Sequence, residues 1–105
     1  MTEAEIQRAV RLAVGQLPDV CIWRNTVGGG HIDGRYQRWG LADGSADLIG
    51  IGPGGKFLAL EIKSLTGRLT LQQKLFLDLV TARGGIAAVV RSPEEALAVI
   101  ARYRT

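Results

Sequence analysis

The stretch that most constrains this chain is residues 45–63. Two apolar runs of strand length, Leu48 to Ile51 and Phe57 to Ile62, flank the cluster Gly52-Pro53-Gly54-Gly55. Apolar runs bounded by Gly and Pro in this way predict a β-hairpin. Side chains alternate along a strand, so Phe57, Ala59, Glu61 and Lys63 share one face, and Leu58, Leu60 and Ile62 share the other. If Pro53-Gly54-Gly55 forms the connection, Asp47 falls directly opposite Glu61, with Cβ atoms about 5 Å apart on the Lys63 face. A one-residue slip would send Asp47 to the opposite face, so the whole reading depends on this register.

Two carboxylates placed that way repel, and a sheet gains nothing from the pairing. A divalent cation between them reverses the sign. Hard oxygen donors at this spacing suit Mg²⁺ or Mn²⁺, which keep several waters and share the rest of their shell with substrate phosphate. A lysine on the same face can hold the attacking water and stabilise charge on the phosphate. Acid, acid and lysine together therefore form a candidate metal site able to act on a phosphate.

The chain of 105 residues reads as one domain, 1–105, with a single sizeable core. No apolar run approaches the roughly 18–20 residues of a membrane span, and the N-terminus reads as a capped helix, not a signal peptide. The single cysteine, Cys21, excludes an internal disulfide and a cysteine-based zinc site, and a cytoplasmic setting is expected. On a strand of alternating character, Cys21 is expected in the core. His31, the one histidine, has no partner for a ligand role and reads as a loop residue. The net charge of +3 rests on an arginine excess that suits phosphate recognition, although a soluble protein can be basic without it.

Along the chain, Thr2 and Glu5 predict a capping box that opens a helix carrying Ile6, Val10, Val14 and Leu17, ended by Pro18. By helical phase Glu3 points toward the core side with Ile6 and Val10, whereas Glu5 is occupied by the cap. Val20–Arg24 reads as a strand. Residues 26–45, with six glycines, read as a long irregular loop, longer than compact domains keep without a purpose. Within it Arg35-Tyr36-Gln37-Arg38-Trp39 interleaves basic and aromatic side chains, which suits phosphate contacts with base stacking; aromatics packed back on the protein, or a dimer contact, would explain the same residues. Gly50 to Lys56 satisfies the spacing of a phosphate-binding P-loop, but Phe57 stands where Ser or Thr is needed and a strand follows, so that reading fails. A helix is predicted from Thr70 to about 83, with Thr70 and Gln73 as a capping box and Leu71, Leu75, Phe76, Leu79 and Val80 as its apolar face. Gly84-Gly85 ends it. Ile86–Val90 reads as a strand buried on both faces, followed by a helix with Ser92 as N-cap and Pro93 at its first position. Lys56–Lys63, the helix and Ile86–Val90 should form a crossover with parallel strands.

Asp47, thirteen intervening residues, then Glu61-Ile62-Lys63 resembles the D…E-x-K core of the PD-(D/E)XK nucleases, and more narrowly the VRR-NUC family. Glu3-Ala4-Glu5-Ile6-Gln7 is similar to that family's opening, and Leu69-Thr70-Leu71-Gln72-Gln73 to its Leu-Ser/Thr-x-x-Gln signature. The resemblance implies an α/β fold, a mixed β-sheet flanked by helices with a restriction-endonuclease-like αβββαβ core and a C-terminal helix. It implies a metal-dependent DNA endonuclease in which Asp47, Glu61 and the Ile62 carbonyl bind Mg²⁺ or Mn²⁺, Glu3 completes the site, Lys63 activates water, and Gln73 positions the site or the DNA. Arg35, Tyr36, Arg38 and Lys74 are the candidate DNA contacts. The chain looks like the stand-alone phage and bacterial members, which implies a homodimer and branched DNA such as four-way junctions. A non-catalytic nucleic-acid-binding module is the competing reading and would need the basic segment but no metal; a small protein–protein adaptor is a third.

Overall fold

The computed structural model describes residues 1–104. Helix α1 spans Glu3–Val14, with Thr2 and Glu5 forming the capping box. Strand β1, Cys21–Arg24, precedes a two-stranded excursion, β2 (Gly28–Ile32) and β3 (Arg35–Trp39). Strands β4, Leu48–Ile51, and β5, Phe57–Ile62, follow, then α2, Leu71–Ala82, β6, Ile86–Val90, and α3, Pro93–Ala101. The main sheet has the order β1-β4-β5-β6. Its first two pairings are antiparallel and β5 runs parallel to β6.

Alternation on β5 feeds two cores. Leu58, Leu60 and Ile62 pack with Leu48, Ile86 and Val90 against Ile6, Val10 and Val14 of α1 and Ala96 and Ile100 of α3. On the other face Ala59 meets Ala46 and the Leu77 and Val80 side chains of α2. The result is α/β, a mixed sheet with two helices on one face and one on the other. The β4–β5 connection is the tight turn Pro53–Gly55, closed by Gly52 N–H donating to the Lys56 carbonyl at 2.7 Å. Gly54 and Gly55 have φ of 72° and 80°, a region side chains resist, so glycine is required there.

Four expectations are corrected. Residues 26–45 are not irregular, because β2 and β3 pair as an antiparallel hairpin. Its tip is Asp33-Gly34, both at positive φ (53° and 77°), the geometry of the turn that matches strand twist best. Cys21 is exposed, not in the core; the inward-facing neighbour is Ile22, which packs against the α1–α3 core. On α2 the buried residues are Leu77 and Val80, while Leu71, Leu75 and Leu79 stay exposed. Ile86–Val90 is an edge strand whose middle residues are only partly buried. No helix is long and apolar enough to cross a membrane among the described residues.

Candidate active site

The register Leu48↔Leu60, extended by one residue, sets Asp47 opposite Glu61. Asp47 lies where the chain enters β4, and its Oδ2 accepts from the Ile62 amide at 2.9 Å. The carboxylate is thus held on β5, one residue from Glu61. Glu61 is 2% exposed and Lys63 9%, the two charged residues of the protein's interior among those described. The Lys63 amide donates to the Val90 carbonyl at 3.2 Å, so the parallel ladder continues under the lysine and fixes its side-chain direction.

Burial pushes the Glu61 carboxyl up to about 8; the hydrogen bond and charge of Asp47 add to the rise, Lys63 opposes it, and Glu3 adds a smaller repulsion. Charge is expensive in such surroundings, so the neutral acid is favoured until a cation compensates. Among the described residues no three of His, Cys, Asp and Glu converge tightly enough to cage a metal. The adjacent carboxylates of Asp47 and Glu61 are donors of the kind Mg²⁺ or Mn²⁺ uses, one or two carboxylates with water and phosphate completing the shell.

Glu3 and Glu5 separate as their helical phase predicts. Glu5 Oε1 accepts from the Thr2 amide at 3.0 Å and is occupied. Glu3 turns toward the sheet end: a Cβ at Gly67 would lie 3.2 Å from Glu3 Oε2 and from Ser64 Oγ, and 3.3 Å from Lys63 Cδ. Glycine at 67 lets the 64–67 turn approach both side chains. Gln73 caps α2, its Oε1 accepting from the Thr70 amide at 3.0 Å; any contact with substrate would fall to its Nε2. Lys74 Nζ donates to Asp78 Oδ2 at 2.9 Å one turn along the exposed helix. Of the basic hairpin, Tyr36 and Arg38 share a face with His31, whose ring meets Tyr36 edge-on at 5.4 Å. Arg35 lies on the opposite face, and Arg38 is paired with Asp43. Tyr36 packs over Gly29 and Trp39 over Gly28 and Gly30, so both rings cover the glycine strand at the same time as they face solvent.

Two residues outside the candidate site stand out. Arg91 Nη1 donates to the Ser64 carbonyl and, at 2.8 Å, to that of Gly67, pinning the turn beside Lys63. Asn25 bonds to Leu41, Ser45, Ala46 and Asp47. Their contacts are not written locally, because the partners lie 16 to 27 residues away.

The family model of the VRR-NUC domain matches residues 5–94. The chain belongs to the VRR-NUC family. A solved structure titled a VRR_NUC domain matches with a TM-score of 0.66 at 20% identity, over 99% of this chain and 100% of that one. At that identity the likeness speaks for the fold. No curated protein matches the chain. VRR-NUC is a nuclease family, so the sheet and its carboxylate end belong to a nuclease-type, DNA-processing fold. The matched span includes Asp47, Glu61, Lys63 and Gln73 but begins two residues after Glu3.

Proposed function

We propose that this VRR-NUC domain is a Mg²⁺- or Mn²⁺-dependent DNA endonuclease. The observation that carries the reading is the pairing of Asp47 with a buried Glu61 beside Lys63. Asp47 and Glu61 would hold the cation, with the Ile62 carbonyl a further donor and Glu3 acting from across the 64–67 turn. When bound, the metal polarises the scissile phosphate and makes water acidic enough to attack at neutral pH. Lys63 orients the attacking water and stabilises charge developing on the phosphate. Gln73 would add a positioning contact through Nε2. The hairpin β2–β3 would offer Tyr36 and Arg38 on one face and Arg35 on the other to DNA, and Lys74 would add a further cation once it releases Asp78.

Branched DNA, including four-way junctions, is proposed as the preferred substrate. The test is cleavage of linear, nicked, flap and four-way-junction DNA with Mg²⁺, Mn²⁺ and chelator. Metal-dependent cutting fastest on the junction is expected. Tight DNA binding with no cutting in either metal would leave the binding-module reading.

A homodimer is proposed on a separate observation. Trp23, Ile51 and Phe57 lie on the sheet face that α2 leaves open, at 52%, 48% and 42% exposure. Phe57 and Leu79 line one cavity there, and Leu75 continues the stripe one turn away. Exposed apolar patches of this kind mark association surfaces. Light scattering should report a dimer for the parent and a folded monomer for Leu75→Lys. A parent that is monomeric at micromolar concentration would rule the dimer out.

A further inference from the structure

The β2–β3 hairpin projects from the body, its strands packing chiefly on each other. Its base, by contrast, is tied down. A Cβ at Gly40 would run into the Thr26 carbonyl oxygen, so the outgoing and returning legs touch there. Gly44 sits against the Gln72 backbone of α2, and Arg38 is paired with Asp43.

Asn25 closes the excursion. Its Nδ2 donates to Ser45 Oγ at 2.7 Å and to the Ala46 carbonyl at 2.9 Å. Its Oδ1 accepts from the Leu41 amide at 3.4 Å, and its own amide donates to the Asp47 carbonyl at 2.8 Å. One side chain therefore joins the point where the chain leaves β1 to the point where it re-enters β4. Asp47 is gripped from both sides, its backbone by Asn25 and its carboxylate by the Ile62 amide.

We propose that Asn25 is a positioning residue that holds the hairpin and Asp47 in one rigid unit, so that DNA gripped by the hairpin is presented to Asp47 in a fixed place. The part concerning DNA rests on the nuclease reading; the placement of Asp47 does not. Both of the amide's donor hydrogens are spent on Ser45 and Ala46, which makes the amide group itself necessary. Aspartate at this position keeps the size and the acceptor for Leu41 but donates nothing and brings a charge toward Asp47.

The Ile62 amide reports the placement directly, because its hydrogen bond ends on the Asp47 carboxylate. Hydrogen exchange is measured by NMR on metal-free, DNA-free parent, Asn25→Ala and Asn25→Asp. Both variants are expected to exchange Ile62 about tenfold faster, the loss of one local tie, while the Ile86–Val90 amides keep their rates. Single-turnover cleavage should then slow by about tenfold or more with DNA affinity little changed, since the loss is of alignment and not of contact. Arg35→Ala, in contrast, should weaken DNA binding and lower its salt slope by about one while leaving Ile62 exchange alone. Unchanged Ile62 exchange in folded Asn25→Ala would overturn the proposal. So would equal acceleration at every amide, which would make Asn25 a general stabiliser. If the parent does not cut DNA, the nuclease reading fails, and the exchange rates still decide the role of Asn25.

Discussion

Lys63→Ala is expected to fold, to bind metal and DNA, and to cleave about 10²–10³-fold more slowly than the parent, a loss of about 3–4 kcal/mol of transition-state stabilisation. The reason is its place. Lys63 stands two residues beyond Glu61 on the same strand face, in a setting only 9% exposed. There a fixed cation acts on developing charge with little screening by water. An interaction made mainly in the transition state lowers the rate more than the affinity when it is removed. The stem of Lys63 also packs beside Gly67, so Lys63→Met, which keeps the bulk and removes the charge, separates chemistry from packing. Rates are compared at saturating Mg²⁺, so that any change in metal affinity does not enter. A Met variant that cuts as fast as the parent would remove Lys63 from the mechanism.

The second large effect is a stability that falls as pH rises. Burial and Asp47 raise Glu61 from an ordinary 4.5 to about 8 in the folded protein. Between those values the native state keeps a proton that the unfolded chain has released, so the unfolding free energy declines with pH. For one group the slope approaches 1.4 kcal/mol per pH unit, on the order of several kcal/mol across the interval. Below pH 4.5 both states hold the proton and this contribution is constant. Metal-free Tm is therefore expected to drop from pH 5 to pH 8 in the parent, and the Glu61→Gln curve should be flatter and lie above it at pH 8. Mn²⁺ requires both carboxylates ionised, so its binding should release about one proton near pH 7 and tighten as pH rises. Calorimetry in two buffers of different ionisation enthalpy measures that release. Parallel Tm curves for the parent and Glu61→Gln would show that Glu61 is not the group responsible.

What could be read from residues alone was whatever local geometry specifies. The odd connection Pro53-Gly54-Gly55 sets the β4–β5 register, and with it Asp47 opposite Glu61 on the Lys63 side. Cap chemistry told Glu5 from Glu3 and placed the start of α2, because a cap joins groups three residues apart. The hairpin β2–β3 was written at Asp33-Gly34, the strongest turn signal of its kind, but three consecutive glycines in β2 weaken a strand pattern. With no core beneath it there was no alternation to detect.

The rest belonged to the tertiary structure. Period and phase show that Leu71, Leu75 and Leu79 form a stripe and that Cys21 and Ile22 point opposite ways. They do not show which side of each element another element covers, and α2 covers only the Ala59 side of its face. The raised Glu61 carboxyl depends on burial, which is a property of the packed sheet and not of the E-x-K spacing. Arg91 and Asn25 act on residues 16 to 27 positions away. Their roles exist only once the sheet has brought the ends of distant loops together, and nothing near them in the chain announces it.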